Sequence, residues 1–325
     1  MTARHLTYGI AIALLGIFPL LAAQFGQDYY IGLASRILIF AIAASSLNLL
    51  LGVGGMLSFG HAAYLGIGAY TVGILAHHAT SNSLLLGFIP GTTNAWIAWP
   101  TAALVSGLCA GLIGAISLRT RGVYFIMITL AFAQMFYYFF VSLQTYGGDD
   151  GLTLAQRSDV GVGIDLNSDS GFYFIVLALF LLTTFLFHRL IRARFGQALL
   201  GIRDNETRME AIGFATYRLK LVCFVIAGAL AGIAGALLVN HNTFISPYTL
   251  HWTQSGSLLI MLIIGGVGHL LGGAIGAAAL LLLEEILSTY TQHWQLALGV
   301  ILLCVVFLTP KGIAQLLRRQ RKSIT

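Results

Sequence analysis

Charged side chains are concentrated in one stretch of this 325-residue chain, residues 192–220. Positive and negative residues alternate there, whereas the flanking sequence is apolar. A simple anchor to anionic lipid needs only positive charge, so the mixture of signs favours contact with another protein. We therefore predict a docking surface, with a positive anchor as the alternative. Its charged members are Arg192, Arg194, Arg203, Asp204, Glu206, Arg208, Glu210, Arg218 and Lys220.

A second polar stretch interrupts a hydrophobic run between Leu47 and Tyr70. Glycines favour broken helical structure, and irregular backbone within a membrane must face protein or a water-filled cavity. Neutral hydrogen-bonding groups surround the break and would suit a solute pathway without a fixed charge. The alternative is a tight cytoplasmic turn with satisfied polar groups and a structural histidine. The predicted pathway residues are Asn48, Gly52, Gly54, Gly55, Ser58, His61 and Tyr64.

Motifs for catalysis, metal binding or nucleotide binding are missing from the sequence. It contains no HExxH, GxSxG or phosphate-loop pattern, and its three cysteines are far apart, without metal-ligand spacing. The membrane-embedded segments also lack the acidic residues that proton-coupled carriers place at mid-span. We therefore predict a protein that is not an enzyme and has no cofactor or metal. If ATP drives it, another chain must bind the nucleotide.

The composition indicates lipid as the main solvent of the chain. Charged residues make up only 9% of the sequence and hydrophobic residues 58%, with a mean hydropathy of +0.88; soluble proteins carry about 25% charged residues. The net charge of +6 would suggest nucleic acid in a soluble protein, but here it fits contact with anionic lipid. We predict one membrane-embedded, all-α domain over residues 1–325 and no nucleic-acid partner.

Hydrophobic runs predict about ten transmembrane helices, or eight or nine if short segments are re-entrant. The first run could instead be a cleaved signal sequence, although the spans that follow at once favour retention. The predicted spans are Tyr8–Ala23, Ile31–Leu51, Ser58–Ala76, Ala95–Leu118, Gly122–Leu143, Gly171–Leu190, Leu221–Val239, Ser255–Val267, Gly272–Leu287 and Leu296–Leu308.

The distribution of basic residues predicts the orientation of these spans. With ten spans and both termini cytoplasmic, the groups at residues 4, 119–121, 192–220 and 318–322 all lie inside, as expected for positive charge. Arg157 is the only lysine or arginine in the predicted outer loops. Glycines spaced four apart, such as Gly107 with Gly111 and Gly228 with Gly232, predict close helix packing.

Three blocks resemble the LivM-type permeases of branched-chain amino acid ABC importers. They span Leu47–Tyr70, Gly196–Leu237 and Leu258–Leu287, and the sequence GGDDGLT (Gly147–Thr153) adds to the similarity. The resemblance implies a multi-pass subunit of the bacterial inner membrane that translocates branched-chain or other apolar amino acids. It further implies a sister permease chain in a heterodimer, two cytoplasmic ATPase subunits and a periplasmic solute-binding protein.

The resemblance also implies that residues 192–220 form a cytoplasmic coupling loop for the ATPase. Permeases of this kind carry an EAA-like motif, which Glu210, Ala211 and Gly213 match in part; here the glycine follows early and no proline comes after it. The implied coupling residues are Arg203, Asp204, Asn205, Glu206, Glu210 and Gly213.

Two other functions stay open from the sequence. A urea or short-amide ABC permease would look similar, because those permeases resemble this group. A secondary carrier or passive channel is a different class, and it would transport without any ATPase.

Overall fold

Helices dominate the structure because lipid offers no hydrogen bonds to the backbone, which must satisfy its own N–H and C=O groups. The computed structural model describes residues 14–22, 24–85, 87, 89–161, 166–308 and 312, and residues 14–22 are helical. The helices that follow are α1 (Asp28–Asn48), α2 (His61–Thr80), α3 (Ala95–Ser117), α4 (Val123–Ser142), α5 (Asp169–Arg192), α6 (Arg194–Asp204), α7 (Glu206–Ala211), α8 (Thr216–Asn242), α9 (Trp252–Gly265), α10 (Gly272–Tyr290) and α11 (Trp294–Leu308).

Within the described residues, six helices are long and apolar enough to cross a membrane. They are α1 with its extension to Val53, α3, α4, α5, α8 and α10, while α9 and α11 are apolar but shorter. Each of the ten predicted spans coincides with a helix, the first of them in its described part, residues 14–22. The architecture is therefore that of an all-α, multi-pass membrane protein. Arg4 and the basic residues 318–322 lie outside the described residues.

Helix α2 differs from its prediction in its bounds and in its hydropathy. The sequence predicts a span from Ser58 to Ala76, but the helix begins at His61 and ends at Thr80. Ser58 accepts a hydrogen bond from the N–H of Gly60, a local turn that delays the helix. Although α2 is not among the six apolar helices, most of it is buried against protein, so it does not need a lipophilic surface.

Glycines allow α8 to pack closely against α2 and α3 at the centre of the bundle. A methyl group at Gly107 would lie 3.3 Å from the Ala229 side chain, and one at Gly232 would lie 2.5 Å from Ser106. Gly228 likewise faces Ala110. The predicted packing role of the spaced glycines in α3 and α8 is confirmed, because these contacts leave no room for larger side chains.

The connections between helices lie at two opposite ends of the bundle. We call the end that holds α6, α7 and residues 52–57, 119–121 and 266–271 the charged end, and the other the opposite end. At the opposite end, β3 (Leu152–Thr153) pairs antiparallel with β4 (Phe244–Ile245), and β1 (Leu84–Leu85) pairs with β2 (Ile89–Pro90). Ser158 N–H also donates to Asn240 Oδ1 at 2.6 Å. Backbone and side-chain hydrogen bonds thus connect the loops at the opposite end.

Candidate functional site

The charged stretch folds as two short helices joined at Asn205. Helix α6 buries Leu199 and Ile202 against the bundle, whereas α7 has no buried residue. Asn205 Oδ1 accepts a hydrogen bond from Arg208 N–H at 2.9 Å and so caps the start of α7. The sequence predicts a loop over residues 192–220; the structure shows that most of it is helical and that the residues from Thr216 onward belong to α8.

Arg203, at the end of α6, reaches back to the glycine-rich break after α1. Its Nη1 donates a hydrogen bond to the carbonyl oxygen of Gly52, 151 residues earlier in the chain. Its aliphatic stem lies over Gly55, where an added methyl group would be only 2.6 Å from Arg203 Cγ. Gly55 also has φ +68°, which favours glycine. The two stretches singled out by the sequence therefore touch at Arg203.

Glu206, at the start of α7, is held by cations from two other elements. Lys220 Nζ on α8 lies 2.6 Å from Glu206 Oε1, and both side chains are largely shielded from solvent. Arg121 Nε, on the turn between α3 and α4, lies 3.9 Å from Glu206 Oε2 and is largely exposed. Because both cations come from membrane-helix ends, these contacts join α7 to the bundle.

The remaining predicted coupling residues are exposed. Glu210 Oε1 accepts a hydrogen bond from Thr216 Oγ1 at 2.8 Å, and its side chain is about half exposed. Asp204 is more exposed still, at 70%. Gly213 has φ +92° and no atom within 4 Å of an added methyl group, so it serves a turn rather than a contact. The side chains of Asp204 and Glu210 are therefore accessible to solvent.

The break after α1 begins as a π-helix, Leu49–Val53, which widens the backbone before the chain turns. The buried Asn48 fixes it to the turn between α9 and α10. Its Oδ1 accepts from Gly268 N–H at 2.8 Å, and its Nδ2 donates to His269 O at 2.7 Å. A methyl group on Gly52 would lie 2.6 Å from Gly268 N. The break after α1 and the turn between α9 and α10 are thus held together at the charged end.

The other predicted pathway residues pack inside the bundle beyond the break. Ser58, His61 and Tyr64 are all fully buried. His61 Nε2 lies 2.7 Å from Ser46 Oγ on α1, and the Tyr64 ring meets Phe224 of α8 edge-on, with ring centroids 5.8 Å apart. Gly52 and Gly54 are also buried, whereas Gly55 is exposed. Helix packing thus buries every predicted pathway residue except Gly55.

Several buried polar atoms in this region have no hydrogen-bond partner among the residues that the structure describes. They include His61 Nδ1, Tyr64 Oη and Tyr70 Oη. An unsatisfied buried polar group costs about 1–3 kcal/mol, so such groups are normally bridged by water. The interior beside α2 is therefore more polar than plain helix packing requires.

The structure places the predicted coupling residues in α6, α7 and the turn that follows, at the charged end, and joins them to the break through Arg203. It also reveals contributors that the sequence analysis did not select: Arg121, Thr216, Gly268 and His269, with Lys220 as a specific partner of Glu206. The sequence placed Arg121 and Lys220 in groups of basic residues, but it did not indicate their partners. Gly268 and His269 carry no such signal, since their backbone atoms make the contacts.

Comparison with protein families supplies an independent result. The family described as branched-chain amino acid transport system / permease component matches residues 29–309. This range includes the charged stretch, the break after α1 and the turn between α9 and α10. It also includes all the described spans except residues 14–22.

Individual relatives point to the same family. The high-affinity branched-chain amino acid transport system permease protein LivM of Salmonella typhimurium is 27% identical, over 99% of this chain and 77% of that protein. LivM of Escherichia coli is 25% identical over the same shares. The permease protein LivH of Escherichia coli is 28% identical, but over only 42% of this chain and 44% of that protein. No solved structure matches the chain.

Proposed function

The chain belongs to the branched-chain amino acid transport system permease family, and from that premise we propose that it is the membrane-spanning subunit of an ATP-driven importer for branched-chain or other apolar amino acids. The observation that carries the proposal is the similarity to LivM proteins over 99% of the chain. The exposed charged residues of α6 and α7 support it, because the sequence contains no phosphate-loop pattern and a partner chain would have to supply the energy.

We propose that the charged end faces the cytoplasm. Arg119, Arg121 and the basic residues of 192–220 all lie there, and positive charge marks the cytoplasmic side. The opposite end then faces outward, with Arg157 as the single lysine or arginine of its loops. Ten spans would place both termini inside. The membrane is the bacterial inner membrane, and lipid surrounds the exposed apolar faces of α3, α4 and α5.

The coupling surface that we propose for the ATPase is the exposed side of α6 and α7. Asp204 and Glu210 would meet the ATPase, and Glu206 would hold α7 against the bundle through Lys220. Asn205 and Gly213 would shape the segment, and Arg203 would pass its movement to the break at Gly52. The proposed domain is thus one permease unit with residues 192–220 as its coupling region.

The proposed solute path runs along the buried face of the break and α2. Asn48, Gly52, Gly54, Gly55, Ser58, His61 and Tyr64 would line it once α1, α2 and α10 separate. The unpartnered polar atoms of His61 and Tyr64 support this proposal, since a passing zwitterion needs hydrogen bonds that apolar packing cannot provide.

Protein partners of three kinds follow from the proposed function. LivM and LivH names occur together among the relatives, which supports a heterodimer with a sister permease. Two cytoplasmic ATPase subunits would hydrolyse ATP, and a periplasmic solute-binding protein would deliver the amino acid.

Transport by the purified complex tests the function. We expect leucine uptake into vesicles to require ATP in the lumen and the binding protein outside, and to fall to background with a non-hydrolysable ATP analogue. Uptake of urea without uptake of leucine would instead identify an amide permease. Robust flux through this chain alone, without an ATPase, would show a carrier or channel.

Cysteine labelling tests the orientation. In a cysteine-free background, we expect Asn205→Cys to resist a membrane-impermeant thiol reagent in intact cells and to react after permeabilisation, because the proposed cytoplasmic location hides it. Ser81→Cys, exposed at the opposite end, is the matched control and should react in intact cells. Labelling of Asn205→Cys in intact cells would reverse the proposed topology.

A further inference from the structure

A small cleft opens at the charged end between α7, the turn before α4 and the break after α1. It encloses about 260 Å³. Drug-sized ligands occupy clefts of roughly 300–1,000 Å³, so this one suits a smaller molecule. Of the proposed pathway residues, only Gly55 lines it, so the cleft meets the proposed solute path at that one residue.

The walls of the cleft combine charges of both signs with an apolar floor. Arg121 and Lys220 supply cations and Glu206 supplies a carboxylate, while Met56, Leu57 and Phe125 supply apolar surface. Arg121 is only loosely engaged: its two carboxylate contacts are both 3.9 Å long, beyond hydrogen-bond distance, and its side chain is 71% exposed. Its guanidinium thus retains free donors.

This arrangement matches a zwitterion with an apolar side chain. A guanidinium can hold a carboxylate through two parallel hydrogen bonds. Glu206, which lines the cleft close to Arg121, has a carboxylate that would accept hydrogen bonds from an ammonium group beside the bound carboxylate. We propose that the cleft binds a free apolar amino acid from the cytoplasm. The identity of this ligand rests on the proposed function, since the imported solute would accumulate on that side.

Other small molecules fit the cleft less well. A nucleotide needs several cations for its phosphates, and the carboxylate of Glu206 inside the cleft would repel it. A lipid chain would place the charges of Arg121, Lys220 and Glu206 in an apolar environment, which is costly.

An amino acid in the cleft would join elements that must move during transport. It would bridge the turn at Arg121, the coupling helix α7 at Glu206 and the break at Gly55–Leu57. Because binding stabilises the conformation that forms the site, an occupied cleft would hold the charged end closed. The cleft would therefore act as a product-inhibition site that slows import when the cytoplasmic amino acid is abundant.

Trapped leucine tests the site in the complete importer. Vesicles would hold ATP and unlabelled leucine in the lumen, with the binding protein and labelled leucine outside. We expect the initial uptake rate to fall as trapped leucine increases, and we expect leucinamide and 4-methylpentanoate, which each lack one charge, to inhibit far less. Equal inhibition by all three compounds would overturn the proposal, because it would show no recognition of the zwitterion.

Arg121→Gln is the decisive variant, with Arg119→Gln as its matched control. Loss of a charge-assisted hydrogen bond should raise the half-inhibiting leucine concentration about tenfold or more. Arg119 lies on the same turn but does not line the cleft, so Arg119→Gln should leave that concentration unchanged. Inhibition is expressed relative to each variant's own uptake without trapped leucine. An unchanged value in Arg121→Gln would reject the site.

Equilibrium dialysis separates this proposal from the proposed function. Labelled leucine should bind the solubilised complex without the binding protein, and Arg121→Gln should weaken that binding about tenfold. Binding that Arg121→Gln does not change would contradict the cleft even if uptake is normal. Arg121-dependent binding without any ATP-driven uptake would support the cleft and contradict the proposed function.

Discussion

Gly235→Ala is expected to destabilise the helix bundle by about 1–3 kcal/mol, the usual cost of overpacking. Gly235 lies on α8 where it crosses α2, and an added methyl group would collide with the carbonyl oxygen of Leu65 and lie 3.0 Å from Ala69 N. Both atoms belong to backbone, so no side-chain rotation can relieve the contact. The helices would have to separate along a tight interface. The midpoint temperature of unfolding of the purified chain in detergent measures the effect.

Gly256→Ala provides the matched control for this packing prediction. It adds the same methyl group to a helix, but nothing lies within 4 Å of that position. Alanine favours helix more than glycine does by about 1 kcal/mol, so the variant should be as stable as the parent or slightly more so. If Gly235→Ala and Gly256→Ala have the same unfolding midpoint, the close approach of α2 and α8 is wrong.

Arg203→Ala is expected to lower ATP-driven uptake by about tenfold or more while the complex still assembles. The variant removes the hydrogen bond to Gly52 O and the stem that covers Gly55. A hydrogen bond to a charged group contributes about 1.5–3 kcal/mol, which is roughly tenfold to hundredfold in an equilibrium constant. ATP hydrolysis should continue, because the docking side of α7 is unchanged. The ratio of amino acid transported to ATP hydrolysed measures this loss of coupling.

Arg208→Ala is the control that distinguishes loss of the Arg203–Gly52 contact from loss of a positive charge. Arg208 lies in the same segment and is exposed, and its backbone N–H, which Asn205 caps, is retained in the variant. We expect a smaller fall in uptake and an unchanged ratio of transport to hydrolysis. Equal uncoupling by both variants would indicate a general effect of charge, and the proposed link through Gly52 would be wrong.

Span positions were predictable because hydrophobic length and flanking charge are local properties. The sequence predicts Ala95–Leu118 and Gly122–Leu143, and the corresponding helices, α3 and α4, end within a residue of these bounds. The start of α2 was not predictable in this way, because it depends on a turn at Ser58–Gly60 that hydropathy does not register. The helices α6 and α7 were missed because their charge resembles that of a loop.

The candidate site was predictable only in its parts. Charge and glycine content identified the segment around Arg203 and the break around Gly52, but their contact joins residues 151 positions apart. The partner of Asn48 was equally hidden, since Gly268 and His269 contribute only backbone atoms. Such contacts arise from tertiary packing, to which composition and spacing give no access.

The pairing of β3 with β4 has a consequence for how the chain is built. The strands are short, and the residues that they join, such as Leu152 and Ile245, are separated by four helices, α5 to α8. Contacts so distant along the chain form late, because loop closure must precede them. We therefore expect the membrane helices to insert during synthesis before β3 pairs with β4, so that closure of the opposite end is a final step of biogenesis.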